Sequence, residues 1–358
     1  MHLPPHPSRK RSTASVVLIV LNTVFVMVIL TALLLSLGGC SASDPNCYKG
    51  YKSKYSFDVD LTHHPSWMSA IPDHVNLSSL SIPGTHDTMT YGMPDNIWLQ
   101  CQKHNLSTQL RSGLRYFDIR GRLVNDTIGI YHSIGYTGYT LTDVVRHMFD
   151  FLEENPSEAI IMRLKEEGKP VGEEARERNR TFEEVFNDFR LTKDTAAGFK
   201  KHLFQPESPS EADFLPTLGD LRGKILLLEN FPSEDGPYGI RWDSPLMELE
   251  DLWVIPNADH LGEKWQAIEE ALELARDRPD DNSVLSVSHL SASVGVLPIE
   301  AAAGPRTRKD IRGMNDRTGE WLEKGRQGRT GVVISDFPGQ RLVDAIIRRN
   351  EYLWDDED

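Results

Sequence analysis

An irregular eight-stranded α/β barrel of the TIM type, forming one domain behind an N-terminal transmembrane helix, is the fold class this sequence predicts. Three observations carry it. Eight short apolar runs alternate with helix-period segments between residues 77 and 349. Residues with acid–base chemistry recur at the ends of those runs, as they do at the mouth of a parallel barrel. One apolar stretch near the start is long enough to span a bilayer.

The totals agree with one such domain. The chain has 358 residues, 39% hydrophobic and 26% charged, which is ample for a core. Its net charge is -14. That argues against nucleic acid, because neutralising phosphates needs clustered Lys and Arg. A local pocket for one anionic head group is compatible with it. The cysteines are Cys40, Cys47 and Cys101. None sits in a CxxC pair, which argues against a zinc site, and Cys47 with Cys101 is the candidate disulfide.

In chain order, residues 1–15 form a basic tail with Arg9, Lys10 and Arg11 together. Residues 16–37 carry only Asn22, Thr23, Thr31 and Ser36 as polar members and read as a transmembrane anchor or uncleaved signal. The preceding cations would stay cytoplasmic and send the rest across, so the catalytic domain is expected outside the cytoplasm, in the secretory pathway or at the cell surface. Secretion after cleavage is the alternative. A Leu37-Gly38-Gly39-Cys40 lipoprotein-like site ranks third. Sequons at Asn76, Asn105, Asn125 and Asn179 add a glycoprotein expectation. Residues 38–75 read as a lead-in or linker, 76–350 as the barrel, and 351–358 as an acidic tail.

The expected strands are Leu77 to Ile82, Leu114 to Arg120, Ile128 to Tyr131, Ala159 to Leu164, Lys224 to Glu229, Leu252 to Ile255, Ser283 to Ser288 and Gly331 to Asp336. The first is expected to break at Pro83-Gly84. Helix periodicity marks Leu141 to Glu154, Phe182 to Phe189, Ala197 to Leu203, Glu263 to Arg278 and the segment after Asp336.

A parallel barrel gathers strand ends at one mouth. The inventory there is His86 and Asp87, then Asp118, Arg120 and Arg122, then His132, Lys165, Glu166, Glu229 and Asp336. Two histidines, an arginine and carboxylates make a general acid–base set with an anion-stabilising cation, which suits phosphoryl transfer.

These segments carry a resemblance. Ser81-Ile82-Pro83-Gly84-Thr85-His86-Asp87-Thr88 and Gln109 through Arg122 are followed by Tyr131-His132, Asn155-Pro156-Ser157-Glu158, Ile160 through Glu167, Gly223 through Leu228, and Gly331 through Pro338. In that order, over roughly residues 77–348, the chain resembles the X-domain family of phosphatidylinositol-specific phospholipases C, of the small bacterial and fungal calcium-independent type. The resemblance implies cleavage of phosphatidylinositol, or a glycosylated relative, by attack of the inositol 2-hydroxyl, giving cyclic inositol phosphate and diacylglycerol. It implies His86 as base, Asp336 as its orienting carboxylate, His132 as acid with Asp87 as its partner, and Arg120 on the phosphate. Lys165 would contact inositol or phosphate. No cofactor or metal is implied, since Arg120 supplies positive charge where calcium-dependent relatives place acidic ligands. The partner is a membrane phospholipid.

The chain departs from the family at the inositol end. The small bacterial enzymes use an arginine after strand five and an Asp-x-Tyr pair after strand six. Here those places read Glu229-Asn230 and Ile255-Pro256-Asn257-Ala258-Asp259, so Glu229, Asn257 and Asp259 are the candidate stand-ins and no tyrosine is present. A related barrel phosphodiesterase on another phospholipid, or a non-catalytic inositol-lipid binder, are the alternatives.

Overall fold

The computed structural model describes Met27 and residues 40–41, 43–172, 179–205, 215–279 and 281–354. Its strands are β1 (Ser81–Thr85), β2 (Tyr116–Val124), β3 (Thr127–His132), β4 (Gly135–Thr140), β5 (Ile160–Glu166), β6 (Ile225–Asn230), β7 (Ile240–Arg241), β8 (Met247–Glu250), β9 (Leu285–His289) and β10 (Gly331–Ser335). Eight of them run parallel in the order β8-β9-β10-β1-β2-β5-β6-β7. Among the described residues no ladder joins β7 to β8, so the barrel is open along that seam.

The helices are α1 (Leu106–Arg111), α2 (Leu141–Glu154), α3 (Phe182–Leu191), α4 (Ala196–His202), α5 (Leu218–Leu221), α6 (Leu261–Asp277), α7 (Pro298–Ala303), α8 (Met314–Lys324) and α9 (Gln340–Ile347). α2 buries Val144, Val145, Met148, Phe149 and Leu152, the face its periodicity marks. Thr140 with Asp143 and Thr181 with Glu184 start α2 and α3 with capping boxes.

Three strand expectations change. The run Ile128 to Tyr131 is not a barrel strand. It lies in β3, antiparallel to β2, and β4 completes a meander. Only Asn125 and Asp126 join β2 to β3, and a parallel crossover needs a dozen residues or more. The sixth barrel strand is β8, not Leu252 to Ile255. Met247–Glu250 alternates polar and apolar side chains and so hides among loops, whereas Val254–Ile255 makes a separate short ladder with Ser293–Val294. β1 runs through Pro83-Gly84 rather than ending there. Pro83 still accepts from Arg115 N–H at 2.9 Å. A Cβ on Gly84 would lie 2.7 Å from Tyr116 Cβ, so only glycine lets β1 and β2 approach this closely.

The membrane anchor is a further correction. The expected span over 16–37 lies outside the described residues except Met27, and among the described residues no helix is long and apolar enough to cross a membrane. The longest, α6, has 17 residues and carries Glu263, Lys264, Glu269, Glu270 and Glu273. A span needs about 20 apolar residues. Among the described residues the fold is therefore an open α/β barrel with no transmembrane helix, and single-pass anchoring is set aside with the localisation built on it. Of the acidic tail expected at 351–358, residues 355–358 also lie outside the described residues, while 351–353 belong to a 3-10 turn, Arg348–Leu353. The disulfide joins Cys40 to Cys47, leaving Cys101 as a buried free thiol. Asn76 and Asn105 of the sequons use their side chains as helix caps, accepting from Ser78 N–H and Thr108 N–H.

The segment read as a linker is packed. Tyr55, Phe57, Val59, Met68 and Ile71 are buried, and Phe57 N–H donates to Phe337 O at 3.2 Å. A buried ion pair ties this segment to the barrel floor. Arg115, at the start of β2, donates from Nε and Nη2 to Glu158 Oε2 at 3.0 and 2.7 Å, and from its other hydrogens to His64 O, Pro65 O, Leu110 O and Leu114 O. Glu158 also accepts from Met68 N–H at 3.1 Å. Both side chains are fully buried. Removing one partner leaves an uncompensated buried charge, so Glu158→Gln is expected to lower stability by about 3–5 kcal/mol. Urea unfolding checks this; an unchanged midpoint would contradict it.

Candidate active site

The parallel strands deliver their C-terminal ends to one mouth. β1 ends at Thr85 and hands on His86 and Asp87. β2 places Asp118 and Arg120 on its inward face two residues apart, and β5 does the same with Arg163 and Lys165. β3 returns His132, and β10 leads into Asp336. The resulting cavity, of about 420 Å³, is lined by His86, Arg120, His132, Arg163, Lys165, Glu167, Asp251, Trp253, Ser291, Ser293 and Asp336 among others. A larger groove of about 690 Å³ beside α8 and α9 lacks this convergence, because its Arg341 is tied to Glu323 and its Arg349 to backbone carbonyls.

Backbone conformation aims the side chains. Asp87, Ser133 and Phe337 have φ of 42°, 54° and 45°, a left-handed region that non-glycine residues enter only when the surroundings force it. Each lies at or directly after a residue of the cluster.

Arg120 is the hub. It donates from Nε to Asp118 Oδ2 at 3.0 Å and lies 3.2 Å from Asp87 Oδ1. Its Nη2 donates to His86 Nε2 at 2.8 Å. An arginine only donates, so His86 Nε2 carries a lone pair. The ring proton is then on Nδ1, which donates to Asp336 Oδ1 at 2.9 Å. His132 Nδ1 faces Leu99 O at 2.7 Å, and a carbonyl only accepts, so this nitrogen is also a donor. His132 Nε2 points at Asp87 Oδ2, 3.3 Å away. The two rings stand 6.1 Å apart at 81° and are 15% and 17% exposed, so both are desolvated yet open to the cavity.

The charges set the titration. Burial, followed by the Arg120 charge, holds His86 well below its ordinary value of 6.5. Burial alone would raise Asp118, but the Arg120 and Arg163 charges outweigh it and keep it well below 3.8. Burial pushes up Asp87, and burial with the nearby Asp87 charge pushes up Asp336. The Cys101 thiol is raised by burial and by Asp336 and Asp87.

A model of the family Phosphatidylinositol-specific phospholipase C, X domain, matches residues 77–230. The 1-phosphatidylinositol phosphodiesterase of Listeria monocytogenes is 31% identical over 299 residues, spanning 80% of this chain and 85% of that protein. The chain belongs to the phosphatidylinositol-specific phospholipase C family. The Staphylococcus aureus protein called 1-phosphatidylinositol phosphodiesterase is 26% identical over 311 residues, 81% of this chain and 93% of its own. The solved phosphatidylinositol-specific phospholipase C from Listeria monocytogenes superposes with a TM-score of 0.63 at 27% identity, over 81% of this chain and 99% of that one.

Within this phospholipase C fold, His86, Asp87, Arg120, His132 and Asp336 come together, with Lys165 at the edge paired to Glu167 at 2.8 Å. Three expected substrate residues do not reach the cavity. Glu229 is buried and accepts from Tyr238 N–H and Ser233 Oγ. Asn257 accepts from Asp259 N–H, and Asp259 pairs outward with Arg308 at 2.9 Å. Arg122 turns away to Lys169 O. In their place stand Asp251 and Trp253, directly after the sixth barrel strand, and Arg163, which donates to Asn230 Oδ1 and stacks 3.8 Å over the Trp242 ring. Arg163 was legible as a charge inside an otherwise apolar strand, two residues before Lys165. Asp251 and Trp253 were hidden by the misplaced sixth strand.

The lowered His86 predicts that its ring is still mostly neutral at pH 6.5 and charges only at lower pH. An NMR titration of the His86 ring checks this; half-protonation at or above 6.5 would contradict it.

Proposed function

We propose that the chain cleaves phosphatidylinositol by intramolecular attack of the inositol 2-hydroxyl on phosphorus. The observation that carries the reading is the unlike proton placement of the two histidines. His86 presents a bare Nε2, as a base must. His132 is fixed as an Nδ1–H donor with Nε2 turned to Asp87 Oδ2 at 3.3 Å, the ring nitrogen from which an acid would pass its proton.

The steps follow. The 2-hydroxyl displaces the Arg120 N–H from His86 Nε2 and gives up its proton there, and Asp336 Oδ1 stabilises the imidazolium that forms. The freed Arg120 donors turn to the phosphate oxygens, whose charge grows in the transition state. The bond from phosphorus to the glycerol oxygen breaks, and His132 Nε2–H protonates the leaving oxygen while Asp87 holds the ring. The products are cyclic inositol phosphate and diacylglycerol. Arg120 occupies Asp118 and Asp87 Oδ1, the oxygens a hard divalent cation would use, so a guanidinium does the electrostatic work.

The inositol ring fits the other half of the cavity. Asp251 can accept from ring hydroxyls, Lys165, Ser291 and Ser293 can donate, and Trp253 offers an apolar face. Arg163 supplies the cation that the end of β6 lacks. Around the mouth Trp98, Ile134, Trp253 and Val294 are exposed, an apolar rim suited to a lipid surface.

Product analysis on phosphatidylinositol in excess chelator is expected to show the cyclic phosphate. His86→Ala and His132→Ala should each lower kcat by about 10²- to 10⁴-fold; full activity in either would sink the acid–base assignment. Trp98→Ala is expected to reduce turnover on vesicles while sparing a soluble short-chain substrate, and equal loss on both would refute a surface role for the rim.

A further inference from the structure

Beside the proposed acid lies a group the reaction does not use. Cys101 is fully buried, and its backbone N–H is held by Thr90 Oγ1 at 2.9 Å. Its sulfur lies 4.0 Å from His132 Nδ1. Asp87, Cys101 and His132 each offer a ligand atom, and these atoms lie within 4.8 Å of one another. His86, Cys101 and Asp336 form a second such trio sharing the same thiol.

Two further observations point to a cation. Asp87 Oδ2 is buried and accepts no well-directed hydrogen bond; it lies 3.1 Å from His86 Nε2, which carries a lone pair, and 3.3 Å from His132 Nε2, while Arg120 engages only Oδ1. A buried carboxylate oxygen facing a nitrogen lone pair calls for a positive neighbour. His132 is also oriented as metal-bound histidines are, with one ring N–H on a backbone carbonyl and the other nitrogen turned to the cluster. A thiol, an imidazole and a carboxylate are the donor set of a borderline-soft divalent ion rather than of calcium.

We propose that Asp87, Cys101 and His132 form a binding site for a thiophilic divalent cation of the zinc type, and that occupancy switches turnover off. On binding, Cys101 releases its thiol proton and His132 its Nε2 proton to solvent, and the lone pair left on Nε2 goes to the ion. That nitrogen then has no proton for the leaving oxygen. The switch rests on His132 being the acid; the binding does not.

The test uses the full chain with zinc as ligand and cobalt as spectroscopic probe. Cobalt should give a thiolate-to-metal charge-transfer band, assignable to Cys101 because Cys40 and Cys47 are joined in a disulfide. Zinc should remove turnover reversibly, with chelator restoring it. Cys101→Ser and Cys101→Ala should keep metal-free turnover and lose both the band and the inhibition. No band in the wild type, or inhibition that persists in both variants, would overturn the site. A band without inhibition would overturn the switch. Failure of the catalytic reading is seen separately, as absence of phosphatidylinositol cleavage in chelator.

Discussion

The mouth of this barrel depends on one guanidinium. Arg120 stands among Asp87, Asp118 and Glu167 and donates to His86 as well. Three carboxylates gathered in a desolvated pocket would otherwise repel one another and take up protons. With the arginine present, Asp118 stays ionised, His86 stays neutral, and Asp87 keeps one oxygen for His132. The protonation pattern of the site is thus set by a residue whose own geometry is fixed by period-two spacing from Asp118 on β2. The same saturation of Asp118 and Asp87 Oδ1 leaves no room for a hard cation there, yet Asp87 Oδ2 stays outside that clasp and faces the two histidine rings.

The backbone is strained where the side chains converge. Asp87, Ser133 and Phe337 are left-handed, at a cost of about 1–3 kcal/mol each. The surroundings enforce this. Asp87 N–H is held by Asp118 Oδ2 at 3.2 Å, and Phe337 is clasped between Cys101 O and the packed lead-in at Phe57. The meander of β3 and β4 has its own reason. A parallel third strand would need a crossover helix, whereas the antiparallel return turns on Asn125 and Asp126 alone and brings His132 back to the mouth beside Arg120.

The sequence made the catalytic end of the site legible and the binding end much less so. His86, Asp87, Arg120, His132 and Asp336 lie in contiguous motifs, where local spacing and strand direction determine placement. The proposed inositol end is assembled from β5, β6, β8 and the loop after β9, so reading it required the correct sixth strand. Met247–Glu250 is polar on one face because it borders the open seam, and it escapes a search for apolar runs. Leu252, Trp253 and Val254 attract such a search and are in fact exposed, with Trp253 lining the cavity. The transmembrane expectation came from hydropathy alone, a local signal that the described residues do not share. The Cys40–Cys47 pairing was obscured because cysteine counting does not contain distances.

The apparent losses at the inositol end are better understood as a rearrangement. Glu229 sits where an arginine was expected, but it faces the loop to β7, accepting from Tyr238 N–H and Ser233 Oγ, and so fixes that loop rather than the ligand. The positive charge reappears one strand over. Arg163 crosses to Asn230 at the end of β6, is flattened against Trp242, and lies 3.5 Å from Asp118 Oδ1. A guanidinium clamped by an amide, an aromatic face and a carboxylate keeps its plane fixed while its remaining donor edge faces the cavity. Moving the cation from β6 to β5 shifts its origin by one strand spacing, about 4.8 Å, which a side chain of this length can span. The acid and the aromatic are likewise present as Asp251 and Trp253, with tryptophan where the family has tyrosine. The larger ring extends the apolar wall of the cavity and gives up the phenol hydroxyl. If the inositol ring binds here as proposed, selectivity at this end would rest more on stacking and on Arg163 than on the hydrogen bond a tyrosine would have made.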